Sequence, residues 1–171
     1  MDEFQLYYDV EDIDEYIENI ADAFSFQNKF YTTSFKLKKD NLGNTYALFF
    51  ITKHIKGLEK AIEVKWQIDE ECGNGYERKE PNLFEEEFKA KNNLECITVL
   101  EKKLINFLNS FKSNKDIYEY ILKNGYLPKH GNEILKKLEN ENKLSFIDEQ
   151  NRKKKRFYLN NNEIKYKVKI K

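Results

Sequence analysis

The chain has 171 residues, 40% hydrophobic and 15% aromatic, enough for one medium domain or two small ones, and no apolar run reaches the roughly 18 residues that a membrane helix needs. The acidic start Met1-Asp2-Glu3 lacks the basic-then-apolar layout of a signal peptide, so the expected compartment is the cytoplasm. A formal net charge of zero hides a segregation: residues 1–95 carry 12 Lys and Arg against 21 Asp and Glu, a balance of −9, whereas residues 96–171 carry 18 against 9, a balance of +9. A basic half can neutralise phosphates, while an acidic half is repelled by them and is better suited to meeting protein.

In chain order, Met1 to Tyr8 contains Phe4, Leu6, Tyr7 and Tyr8 and reads as a short strand or a packing arm. Ile13, Tyr16, Ile17, Ile20, Ala21 and Phe24 then recur at spacings of three and four, which predicts an amphipathic helix. Phe26 to Leu37 alternates and predicts a strand, and Asp40 to Asn44 is a turn cluster. Tyr46 to Thr52 is almost continuously apolar, the pattern of a strand buried on both faces. The pair predicts an antiparallel hairpin, which is marginal alone in water; pairing of the second strand with another chain is therefore expected.

A helix follows from Gly57 to Ile68, and then Asp69 to Gly75. Gly73-Asn74-Gly75 sits among carboxylates after a helix, not after a strand, and so reads as a loop and not a phosphate cradle. Tyr76 to Asn93, with Pro81 and Glu85-Glu86-Glu87, predicts an irregular solvated connection with a short helix near Phe84 and Phe88. Cys72 and Cys96 lie in no CxxC pair and are expected as reduced thiols.

From Cys96 onward the patterns follow the order of a winged helix-turn-helix. Leu100, Leu104, Phe107, Leu108 and Phe111 mark one helix, and Ser113 is placed to cap a second running through Asp116 to Lys123. Asn124-Gly125 ends it, and Pro128 is suited to the first position of a third, where a missing N–H costs nothing. Ile134, Leu135 and Leu138 are expected inward, leaving Lys129, His130, Asn132, Lys136 and Lys137 toward a groove, with Lys115 and Lys129 fixing phosphates. Leu144 to Ile147 and Phe157 to Leu159 predict a hairpin, and the cations Arg152, Lys153, Lys154, Lys155 and Arg156 lie where a wing tip belongs. The tail alternates Lys165, Lys167, Lys169 and Lys171 with Tyr166, Val168 and Ile170, giving a third strand or a basic arm.

The run Tyr46 to His54, with Gly57-Leu58 and the helix to Trp66-Gln67-Ile68-Asp69, resembles the end of the methyltransferase-like domain of three-Cys-motif partner (TcmP) proteins. Leu100 to Leu159, with Tyr126-Leu127-Pro128-Lys129-His130, is similar to the winged-helix module of GMT-like methyltransferases. The resemblance spans roughly residues 10–160 and implies a fragment standing alone or one half of a split protein, because the family's doubly wound domain and its cofactor loop have no counterpart here. Catalytic motifs are lacking as well. His54 and His130 form no close ligand pair with the cysteines, no GxSxG is present, and the clusters Asp9 to Asp12 and Glu85 to Glu87 read as solvated faces.

The expectation is an α+β protein: an N-terminal helix/β-hairpin/helix unit (residues 1–93) and a C-terminal winged helix-turn-helix (residues 94–171). It binds nucleic acid, DNA in preference to RNA, without a cofactor, a metal or catalysis of its own. The Tyr46 to Ile51 strand is expected to meet a protein partner or a second copy. The alternatives are an accessory subunit completing a separately encoded methyltransferase-like enzyme, and a module that docks protein alone.

Overall fold

The computed structural model describes residues 13–25, 29–38, 45–77, 85–148, 159 and 166–171. Helix α1 (Ile13–Phe24) precedes the hairpin β1 (Tyr31–Lys38) and β2 (Thr45–Thr52), followed by α2 (Ile55–Ile68) and the short β3 (Gly75–Glu77). Helix α3 (Glu85–Phe107) leads into β4 (Lys112–Ser113), α4 (Asn114–Lys123), α5 (Pro128–Asn140), β5 (Leu144–Asp148) and β6 (Tyr166–Ile170). The chain is α+β, as its patterns imply. Met1 to Tyr8 and the Asp40 to Asn44 turn lie outside the described residues.

Strands β1 and β2 pair antiparallel from Tyr31↔Thr52 to Lys38↔Thr45, and β3 adds in parallel on the other side, giving the order β2-β1-β3. Helix α1 takes one face, where Phe24 meets Phe49 edge-on at 5.6 Å. Helix α2 takes the other, where Lys65 Nζ donates to Thr33 Oγ1 at 2.8 Å. Because side chains alternate along a strand, Tyr46, Leu48 and Phe50 share the α2 face. They are nevertheless 60%, 47% and 37% exposed. The expectation of burial on both faces is therefore corrected. Among the described residues strand β2 lies at the sheet edge, and the buried row of α2, Leu58, Ile62 and Trp66, packs chiefly on a different core.

That core is shared with the C-terminal half: Leu58, Ile62 and Trp66 pack with Tyr118, Leu122 and Leu127. The Trp66 indole N–H donates to the carbonyl of Gly125 at 2.9 Å, and Tyr118 Oη donates to Glu59 at 2.9 Å. Tryptophan buried with its N–H satisfied contributes apolar area and direction together. The segment 76–93 is not an irregular connection where it is described: Gly75–Glu77 forms β3, and from Glu85 one helix runs past residue 93 to Phe107.

The loop between α2 and β3 is built around one carboxylate. Asp69 accepts from the backbone N–H groups of Glu71 and Cys72 with one oxygen and from those of Asn74 and Gly75 with the other. The amides that would cradle a phosphate therefore already hold an internal anion, in keeping with the loop reading. Asn92 and Asn93 of α3 bond to Glu71 and to the carbonyl of Glu70. The reduced-thiol expectation is corrected at this point: Cys72 and Cys96 form a disulfide, with Cα atoms 5.8 Å apart, that ties the loop to α3.

In the C-terminal region Leu100 and Leu104 of α3 and Leu108 just after it meet Ile117 and Ile121 of α4, Ile134, Leu135 and Leu138 of α5, and Leu144 and Val168 of the small sheet. A Cβ at Gly131 would collide with Ile121 Cδ1, so this glycine lets α5 pack close on α4. The strand order β4-β6-β5 is fully antiparallel. The tail is thus the third strand, and β5 pairs along its length with Tyr166–Ile170, while Phe157 and Tyr158 lie outside the described residues. Leu159 itself is not in a strand.

Candidate nucleic-acid interface

A helix, a short strand, two helices and two antiparallel strands, with the first strand bonded to the last, make a winged helix-turn-helix. The second helix, α4, starts at a capping box. Ser113 Oγ accepts from the Asp116 N–H at 3.1 Å, and Asp116 Oδ2 accepts from the Ser113 N–H at 3.0 Å. It ends at Asn124, and Gly125, at φ +81°, turns the chain toward α5.

The first turn of α5 is held by His130, the third residue of the helix. Its Nδ1 accepts the Leu127 N–H at 3.2 Å, while the ring lies 4.2 Å from Trp66. The side chain is only 6% exposed. Burial, reinforced by neighbouring Lys129, pushes the imidazole down to about 4, so Nδ1 keeps the lone pair that the cap requires. The expected groove contact at His130 is therefore corrected: this side chain caps the helix and faces the core.

Two further candidates are also engaged. Asn132 Oδ1 accepts from the Leu159 N–H at 3.2 Å, tying Leu159 to α5. Lys137 donates to both carboxylate oxygens of Glu101 at 2.8 Å, which ties α5 to α3 and raises the lysine's pKa through that bond. At 3.6 residues per turn, Lys137 lies on the flank toward α3, away from the outward stripe.

The outward stripe of α5 is Lys129, Glu133, Lys136 and Asn140, all exposed. Lys129 and Lys136, seven residues apart, fall on nearly one line along the helix. Lys115 is exposed in the first turn of α4. Arg152, Lys153, Lys154, Lys155 and Arg156 fall between β5 and β6 and lie outside the described residues. Of the expected contacts, Lys115, Lys129 and Lys136 thus remain free to meet a polyanion among the described residues, and His130, Asn132 and Lys137 serve the fold.

Among the described residues no group of three or more His, Cys, Asp and Glu is arranged to hold a metal ion, and no helix is long and apolar enough to cross a membrane. Residues 75–151 match the family model described as the GMT-like wHTH domain, while no curated protein and no solved structure matches the chain. The matched stretch runs from β3 through β5, and with the strand order β4-β6-β5 it makes the C-terminal region of this chain a winged helix.

Proposed function

We propose that this winged helix binds nucleic acid, DNA in preference to RNA, without catalysis by the chain itself. The observation that carries this reading is the outward face of α5, where Lys129 and Lys136 stand in line on a helix whose other sides are buried or paired. Lys115 and the Arg152 to Arg156 run supply further phosphate contacts. The Arg152 to Arg156 run falls in sequence between β5 and β6, outside the described residues, where a wing belongs.

Fluorescence anisotropy with a labelled duplex of mixed sequence, at 50 and 200 mM salt, tests this. Each phosphate contact contributes a slope of about −0.9 in log K against log salt. Neutralising Lys129 and Lys136 flattens that slope by about 1 per lysine, and neutralising residues 152–156 weakens binding most. No binding at low salt, or affinity unchanged in both variants, overturns the proposal. An RNA duplex of the same sequence in parallel reads out the preference.

Strand β2 supports the second part of the proposal, that the N-terminal half associates with protein in the cytoplasm. Thr45 to Thr52 contains no charge and no proline, the usual guards of a sheet edge, and its apolar side chains are exposed. Light scattering after size exclusion tests a second copy as partner: a mass near twice 20.6 kDa that returns to 20.6 kDa in Phe50→Lys supports it. A monomeric wild type instead favours a separate partner, including the methyltransferase-like subunit that the TcmP resemblance implies.

A further inference from the structure

We propose that the cleft between α1, the free edge of β1 and the α4–α5 turn binds a small anionic ligand, a compound bearing a phosphate or carboxylate group, with the Lys65 ammonium as its counter-charge. The cleft encloses about 360 Å³, the lower end of the range for small-molecule sites. Lys65 lines it and is 5% exposed. An ammonium carries three N–H donors, and here one of them meets Thr33 Oγ1, a neutral acceptor. Asp69, the carboxylate whose charge acts on it, already accepts four backbone N–H bonds. A buried cation without a contacting anion is costly, and a bound anion offsets that cost. Burial holds the Lys65 ammonium down to about 8, as expected for a charge lacking a close partner.

The edge of β1 beyond β3, unpaired among the described residues, adds donors. The Lys36 N–H donates to the carbonyl of Asn74, where β3 begins, and β3 pairs only from Lys36 to Lys38. The two-residue alternation of a strand turns the backbone groups of Thr32 and Ser34 to that same edge, beyond the reach of β3 and along the cleft. Lys123 and Asn124 close the far side from the helix-turn-helix, and Asp14, Glu18 and Asp22 of α1 stand opposite, Asp14 paired with Lys36. Those carboxylates repel a long polyanion, so the cleft suits one anionic head on a small molecule. The site is independent of the nucleic-acid surface on α5.

Amide NMR of the full chain, titrated with inorganic phosphate and separately with acetate at constant ionic strength, tests the proposal. Saturable shifts at Thr32, Ser34 and Asn124 with either probe support it, and the probe that saturates first names the class. Lys65→Met weakens that binding at least tenfold; linear titrations with both probes, or affinity within twofold in a folded Lys65→Met, overturn it. A measurement on the wild type needs no folded variant: with ¹³C-labelled lysine, a saturating anion raises the Lys65 titration midpoint. The other charges facing this amine are Asp69, Asp14, Glu18 and Asp22 on α1, and Lys36, Lys103 and Lys123. An unmoved midpoint also overturns the proposal.

Discussion

The C-terminal winged helix and the N-terminal sheet differ in how they close. In the winged helix α3, α4, α5, β5 and β6 all contribute to one cluster, from Leu100 of α3 to Val168 of β6, with most members wholly inaccessible to water. In the N-terminal sheet Phe35 is the strand residue that is buried among those described, and β2 shows its apolar side chains to solvent. Helix α2 explains the contrast. It touches the sheet through the Lys65–Thr33 bond and through Tyr31, but packs Leu58, Ile62 and Trp66 chiefly with Tyr118, Leu122 and Leu127 of the C-terminal half. A sheet with few buried contacts belongs to the low-stability end of a structure, which is where surfaces that recruit partners are drawn from.

Substitutions on the two sides read this difference most directly. Leu104→Ala, in the closed core, costs about 2–5 kcal/mol by urea unfolding, the range for leucine truncation at a site that cannot collapse. Leu48→Ala, the same chemistry on the open face of β2, stays within about 0.5 kcal/mol in a monomer. A large, concentration-dependent cost at Leu48 breaks the contrast and shows that β2 is covered by another chain. The disulfide comes next in size. Cys72→Ser with Cys96→Ser, or reduction of the wild type, lowers stability by about 3 kcal/mol, as expected for a closed loop of this length. Hydrogen exchange then speeds first in β3 and the Asp69 loop and last in α5. Equal acceleration in both would mean that the two regions open as one unit.

The winged helix was the more legible region because its signals are local. Ser113 with Asp116, Gly125 and Pro128 each act within a turn of their own position, and the Leu and Ile spacings of α3, α4 and α5 mark buried faces without reference to distant partners. The engagements of His130, Asn132 and Lys137 are not legible for the opposite reason. A polar residue on a basic helix looks available until its partner is known, and Trp66, Leu159 and Glu101 come from far away in the chain. The Cys72–Cys96 bond follows from the docking of the Asp69 loop on α3, which no spacing announces. Lys65 did leave a signal: it falls in the inward row with Leu58 and Ile62, a core position for a cation.

The smallest expected effect tests the joint where the two regions meet. His130 is held neutral by burial beside Trp66, with its pKa lowered from 6.5 to about 4, while the unfolded chain takes up the proton near the ordinary value. Between those values the unfolded state binds more protons, so stability is full above pH 6.5 and falls as the pH drops toward 4. Lys65 works in the alkaline range: lowered to about 8, it lets stability rise from pH 8 toward 10.5 as the folded state sheds its proton first. His130→Gln loses the cap at neutral pH, at a cost of about 1 kcal/mol, but has no imidazole to protonate. The gap between wild type and variant, measured by urea unfolding, therefore narrows from pH 6.5 to 4. A constant gap would mean that His130 is not sealed at the joint, and that α2 packs on the winged helix less closely than Trp66 and Gly125 require.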